Sequence, residues 1–188
     1  VKVEILGIKG TWREIADAAR TTIGKESGMS EPSSEWKRKI LLAEHSPIRK
    51  LIVSWKWYNL PWWVQTHFTR HKFGVEWFVQ TSRSDRTGVN RATLGQNAPV
   101  NVEGEANAQA IINISRKRLC WLASSETRVA WANFLQELYK FEPELSSACV
   151  TDCIYRGRCY EYRGCGWDKT EVFQRALKSY REGWELDD

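Results

Sequence analysis

The chain has 188 residues, 42% hydrophobic and 27% charged, the balance of a single soluble globular domain spanning 1–188 with a substantial core. No apolar run approaches the roughly 20 residues that cross a bilayer, and the opening "VKVEILGIKG" is too short an apolar run for a secretory signal, so no membrane partner and a cytoplasmic location are expected. A net charge of +5 and a pI near 9.0 favour anionic partners such as nucleotides and phosphates, without choosing nucleic acid over a small molecule.

Residues 2–6 read as a first strand. "TWRE" then forms a capping box, with Thr11 as N-cap and Glu14 at the third helical position. Ile15, Ala18, Ala19 and Thr22 recur at helical spacing behind it. "GKESGMSEPSS" is a loop. A second helix is predicted over 35–43, with Trp36, Ile40 and Leu41 inward. Pro47 biases Ser46 away from helical geometry and ends that run. Over 50–58 the pattern alternates, with Leu51, Val53, Trp55 and Trp57 on one face, which predicts a half-buried strand.

Asn59 and Pro61 read as N-cap and first-turn residue of a helix continuing over 62–71. The basic, aromatic stretch "TRHKFGVEWFVQTSRSDR" starts at that helix end and runs into an extended segment. Residues 82–105 read as a loop carrying Arg83, Arg86 and Arg91. A loop of about twenty residues in a small domain marks a binding segment or lid. Helices follow over 106–119 and 125–140, the second with Val129, Ala132, Leu135 and Leu138 as its apolar stripe. Residues 146–167 are irregular and hold four cysteines. A last helix is predicted over 170–184, capped by Asp168 with Glu171 three residues later. Most of the eleven tryptophans are expected in the core and in subunit contacts.

Two separated stretches together resemble the flavin-dependent thymidylate synthases. "RHK", Arg70 to Lys72, sits after a strand at a helix end and looks like that family's RHR signature. "NAQAIINISRKRLCWLASSETR" is similar to its later helix pattern, with Asn107, Asn113, Arg118, Glu126 and Arg128 in register. Upstream, "AEHSPIRK" resembles the family's His-bearing loop. The departures are specific. Lys72 replaces an arginine, keeping the charge and losing the planar fork. Gln109 also stands for an arginine, Arg49 for an acid, and His67 for a glutamine. The Ser-Gly-Arg segment is matched only by Thr81-x-Arg83, one residue late, or by Ser84-x-Arg86.

The resemblance implies an α/β (α+β) fold with a twisted, mostly antiparallel sheet flanked by helices. It also implies a homotetramer with shared active sites. The reaction it implies is methylation of dUMP to dTMP, with FAD as cofactor and NADPH and methylenetetrahydrofolate as co-substrates. Arg118 would bind the uracil edge and stabilise charge developing on the ring. Arg70, His71 and Lys72 would face FAD, Arg70 also the nucleotide. Ser46, Asn107, Gln109 and Asn113 would contact the cofactor. His67, Gln80, Ser82, Arg83 and Arg86 would serve dUMP, the arginines at its phosphate. On this pattern Asn107, Asn113 or Ile114, and Arg118 fall near one helix face and Arg116 points elsewhere.

Each of these residues also has a plain reading. The basic residues can be a solvated helix end, the asparagines solvent-facing, and His67 a packed, hydrogen-bonded histidine. Two other functions stand beside the first: a related one-carbon modification of dUMP such as hydroxymethylation, and a basic, Trp-rich nucleic-acid-binding module. Nucleic acid is not the expected partner.

Five cysteines, an odd count, argue against a disulfide framework. Cys149, Cys153, Cys159 and Cys165 are spaced C-x3-C-x5-C-x5-C. That spacing differs from the paired C-x2-C of zinc sites, so no metal is assigned and reduced structural thiols are expected; these four are the set that would close on zinc if one bound. Cys120 reads as a packed small hydrophobe.

Overall fold

The computed structural model describes residues 1–28 and 30–182. The capping box forms as predicted. Thr11 Oγ1 accepts from the Glu14 N–H, and the Glu14 carboxylate accepts from the Thr11 N–H at 2.7 Å. It joins strand β1 (Lys2–Lys9) to helix α1 (Trp12–Thr21). Helix α2 (Ser34–Leu42) starts at an Ser33 cap and buries Ile40 and Leu41. A 3₁₀ turn (Ser46–Lys50) buries Pro47 and Ile48 and leads into β2 (Ile52–Pro61), whose Val53, Trp55 and Trp57 are fully buried.

Helix α3 (Trp62–Phe68) and strand β3 (Val75–Val79) follow, then a helical turn α4 (Ser84–Thr87) and a 3₁₀ turn (Arg91–Thr93). Strand β4 (Pro99–Asn107) runs directly into helix α5 (Ala108–Arg118). The chain continues through α6 (Ser125–Tyr139), α7 (Pro143–Ala148), α8 (Asp152–Arg156), a 3₁₀ turn (Trp167–Lys169) and α9 (Glu171–Glu182). The four strands form one antiparallel sheet in the order β1-β2-β4-β3. The fold is therefore mixed α+β, with nine helices among the described residues.

One sheet face is the core. Trp55 and Trp57 alternate inward from β2 and meet Trp77 of β3, Phe68 of α3, and Trp131 and Phe134 of α6. Gly104 makes that cluster possible. It lies on β4 directly between Trp55 and Trp77 in the strand register. A Cβ there would lie 2.5 Å from the Trp55 ring. The indole N–H groups of Trp57 and Trp131 donate to the Ala130 carbonyl and to Ser115 Oγ, at 3.1 and 2.8 Å. The opposite sheet face carries Ser54, Lys56, Glu105 and the exposed Phe78. A second, smaller cluster of Ile154, Phe173 and Leu177 packs the C-terminal helices.

Several expectations are corrected. Residues 99–105 are strand rather than loop: Val100, Val102, Gly104 and Ala106 alternate inward, a period masked by the proline and glycine. Asn59 is no helix cap. It takes φ +56° where the β2 register slips against β4, and α3 starts from Pro61 without a side-chain cap and stops at Phe68. In α6 the buried face is Thr127, Ala130, Trp131, Phe134, Leu135 and Leu138, while Val129 and Ala132 face out. At α9, Thr170 Oγ1 accepts from the Phe173 N–H; Asp168 instead accepts from the Cys159 N–H. Within 146–167, two short helices interrupt the irregular backbone. The predicted end at Trp184 lies outside the described residues.

Candidate functional site

The basic turn after α3 and the last turn of α5 meet. Arg118 ends α5 and is half-buried. Its Nε donates to His71 Nε2 at 2.9 Å, and its Nη2 to the His67 carbonyl at 2.7 Å. The turn that presents these acceptors is tied to the core, because the Trp77 indole N–H donates to the His71 carbonyl at 2.9 Å. His67 is tied to α6: its Nδ1 lies 3.3 Å from Thr127 Oγ1, which lies 2.7 Å from the helix-capping Ser124 Oγ. His67 is thus the hydrogen-bonded histidine of the plain reading, and its carbonyl also positions Arg118.

The electrostatics of this corner are one-sided. Burial lowers the Arg118 pKa, and the neighbouring Arg70 lowers it further. Burial, then Arg118 and Arg70, lowers that of His67. Burial and Arg118 push His71 down to about 4. Among the described residues no carboxylate pairs with Arg118 or Arg70. Arg70, Lys72 and Phe73 are exposed beside them, Phe73 at 94%. A partly desolvated guanidinium that feels the charge of a second, with no acid paired to either among the described residues, favours an anion nearby.

The neutrality of His71 has a consequence for stability. Between its ordinary 6.5 and about 4, the unfolded chain takes a proton that the folded chain refuses. The unfolded state then binds more protons, so stability falls as pH drops through that window and loses nothing more to His71 below it. Denaturant titrations across this range are expected to show a steeper acid loss in the wild type than in His71→Gln, which keeps an acceptor for Arg118. Equal slopes, or a His71 ring titrating near 6.5 by NMR, contradict the geometry.

A second group runs back along α5, its helical residues about 3 to 14 Å from Arg118 by helix rise. Glu44 takes φ +47° after α2. Its carboxylate accepts from Gln109 Nε2 and pairs with Arg116. Asn113 Oδ1 accepts from Arg116 Nη1 at 3.2 Å. Arg116 also stacks on Tyr155, with its guanidinium carbon 3.5 Å from the ring centre. Gln109, Asn113 and Arg116 therefore share a face; of the two residues the sequence pattern offered beside Arg118, Asn113 or Ile114, Asn113 is turned to this group instead. Asn107 is the N-cap of α5, its Oδ1 accepting from the Ala110 N–H at 2.9 Å. Exposed Ser46 belongs to the 3₁₀ turn next to this end of α5.

The third group lies on the loop between β3 and β4. Gln80, Ser82 and Arg91, with Trp62 and Leu94, line an open cavity of about 660 Å³. Arg83 and Arg86 do not line it. The Asp85 carboxylate accepts from Arg83 at 3.0 and 2.7 Å and lies 3.8 Å from Arg86 Nε. Gln80 Oε1 accepts from the Asn101 N–H at 2.9 Å. Of the motif residues beyond these groups, Glu126 is exposed, and Arg128 stacks on Trp121. Sequence reasoning missed Glu44, Thr127 and Trp77. Only Thr127 had a local signal, three residues after the capping Ser124.

Comparison with known proteins gives the fold. No protein-family model matches the chain, and no curated protein matches it in sequence. Solved structures do match. The flavin-dependent thymidylate synthase ThyX from Helicobacter pylori, complexed with FAD and dUMP, superposes at TM-score 0.67 with 12% identity, over 80% of this chain and 100% of that one. A second structure of the Helicobacter pylori enzyme with FAD and dUMP gives 0.66 at 12% identity, over 79% and 98%. The UMP/dUMP methylase PolB from Streptomyces cacaoi, bound with 5-Br dUMP, gives 0.61 at 12% identity, over 78% and 93%. The chain is folded like ThyX, and at this identity the likeness extends to the fold alone.

Proposed function

We propose that the protein is a flavin-dependent thymidylate synthase, converting dUMP to dTMP with FAD, methylenetetrahydrofolate and NADPH. The observation that carries the reading is the acid-free pairing of Arg118 with Arg70 against a neutral His71. Such a corner is stabilised by an anionic ligand and is costly without one. The residues also fit a flavin nucleotide: unpaired cations suit its phosphates, and exposed Phe73 beside them offers a ring face. Structures of the same fold carry FAD and dUMP, which supports the choice among anions.

FAD, when bound, supplies the hydride that reduces the transferred carbon to a methyl group. The remaining work is positioning and charge stabilisation. Arg118, held by His67 and His71, presents its free N–H groups to the uracil edge and stabilises negative charge as C5 becomes nucleophilic. His71 accepts from Arg118 and adds no second positive charge. Arg70 and Lys72 hold phosphate. Gln80, Ser82 and Arg91 serve the nucleotide from the loop cavity, with Arg83 and Arg86 available to its phosphate once their contacts with Asp85 exchange. Ser46, Asn107, Gln109 and Asn113 contact the cofactor from the far end of α5. The reading includes a homotetramer whose copies share each site.

The test is direct. Purified protein incubated with FAD is expected to turn yellow and release the flavin on heating. With dUMP, methylenetetrahydrofolate and NADPH it is expected to yield a nucleotide heavier by one methylene unit. A gain of a hydroxymethyl group instead assigns the related modification, which the Arg83–Asp85 pairing at the altered phosphate segment favours as second reading. Protein that takes up no flavin but binds oligonucleotides in a salt-sensitive way ends the enzyme reading.

A further inference from the structure

The fold brings together a set of thiols different from the one its spacing suggested. Cys149 is fully withdrawn. It is buried, pushed up to about 12 by that burial, and it lies against Ser115 beneath the core. The other four cysteines, Cys120, Cys153, Cys159 and Cys165, line one small cavity between the end of α5 and the C-terminal segment. Its volume is about 20 Å³, room for a single ion or water and nothing larger. We propose that Cys120, Cys153, Cys159 and Cys165 are the ligands of one structural zinc ion.

Several features of the surroundings favour this. Thiolate sulfurs in such sites accept hydrogen bonds from the nearby backbone and hydroxyls. The Thr151 hydroxyl lies 3.2 Å from Cys153 Sγ, and its oxygen accepts from the Ile154 N–H at 3.5 Å. Glycine lets the backbone approach: a Cβ on Gly164 would stand 3.0 Å from Cys159 Sγ. Gly157 and Gly166, at φ +81° and +80°, turn the chain on either side of the ligand-bearing loop. The ammonium group of Lys117 interacts electrostatically with Cys120. It bridges to Glu161 at 3.1 Å and Asp152 at 3.8 Å, and it would offset the negative charge of four thiolates on a divalent ion.

The segment also needs a staple. Residues 157–166 contain no helix or strand. Among the described residues the buried apolar cluster beneath them has three members, Ile154, Phe173 and Leu177, with partly buried side chains such as Val150 and Trp167 packed against it. A core that small rarely fixes such a segment without a cross-link or metal. Soft thiolates in a tetrahedral set select zinc among the common divalent ions. As the side chains stand, no three His, Cys, Asp or Glu groups among the described residues surround a common ion position. Closure requires the thiols to turn inward, a rotation about one torsion for each cysteine. Binding releases the protons of the thiols as zinc takes their place. The proposal does not depend on the nucleotide reading, because it rests on other residues and other chemistry.

Elemental analysis of the protein, purified without chelator, tests it. One zinc per chain is expected, and cobalt substitution is expected to give the thiolate charge-transfer absorption of a four-sulfur tetrahedral site. Cys120→Ser should weaken metal binding by more than the roughly 10–100-fold that follows loss of an outer-shell partner. Cys149→Ser should leave stoichiometry and spectrum unchanged. Should Cys120→Ser fail to fold, alkylation of wild-type protein gives the same information. Zinc should protect Cys120, Cys153, Cys159 and Cys165 until a chelator is added. Loss of metal in Cys149→Ser but not in Cys120→Ser overturns the ligand set. Disulfides among the four, iron with inorganic sulfide in place of zinc, or no metal uptake at all overturns the site.

Discussion

Arg118→Ala is expected to lower turnover of dUMP by at least about 10²–10³-fold, the usual cost of removing one preorganised donor from a developing anion. The loss should fall mainly on kcat, since the proposed contact strengthens as charge builds on the uracil. Folding should survive. The side chain is not part of the buried core; its two hydrogen bonds go to His71 and to the His67 carbonyl of α3, both only partly buried. Removing it also relieves the repulsion with Arg70 that lowers its own pKa. Thermal melting should therefore move little, while His71, freed of a cationic neighbour, should titrate at higher pH. Arg118→Lys is a sharper control: it keeps the charge but cannot reach both acceptors with one planar fork. Undiminished dTMP formation in the alanine variant rejects the role assigned to Arg118.

Gly104→Val is expected to be among the most destabilising single changes in the chain. The glycine stands in the middle of the sheet, opposite Trp55 on one side and Trp77 on the other. Their ring centres are 5.6 Å apart, edge to face. The first carbon of any side chain would lie 2.5 Å from the Trp55 ring, and that ring is fully buried. It cannot retreat, because Trp131 and Phe134 press on it from α6. Overpacking of this kind costs about 1–3 kcal/mol, and more where nothing can yield. Alanine should already lower the melting temperature by several degrees, and valine by more. A denaturation midpoint unchanged in Gly104→Ala would show that the rings repack freely, against the packing described above.

Much of this architecture could be read in the sequence, and the failures are physical. Strand β2 and helix α1 declared themselves, one by strict alternation of large side chains and the other by a reciprocal cap. Strand β4 did not. Its inward positions are small or β-branched, and glycine occupies the site where two tryptophans from neighbouring strands need space. Only tertiary context explains that glycine. The same limit applies to the site. Arg118, His71 and Arg70 could be named from motif spacing, and the fold brings them to one corner. Asn107 reads from sequence as a cofactor contact, and its second part, capping α5 through Oδ1, shows only in the fold. Asn113 follows Arg116 and Gln109, because the face of α5 is set by Glu44 on another element. Pairing Arg83 with Asp85 is local but depends on a loop conformation that no pattern specifies. The cysteines show it again: spacing grouped Cys149 with its neighbours, whereas burial removes it and Cys120 arrives from the other side.

A hydrogen bond from Trp77 to the carbonyl of His71, with one from the Asn107 N–H to the Gly74 carbonyl, fastens the basic turn to the sheet. Trp77 is locked between Trp55 and Phe68, so the His71 carbonyl cannot be released without disturbing the aromatic stack. The turn is exposed, yet its backbone belongs to the cooperative unit of the sheet. Local fraying, the ordinary fate of a surface turn, is thereby suppressed at the one place where two guanidinium groups must be kept close against their mutual repulsion.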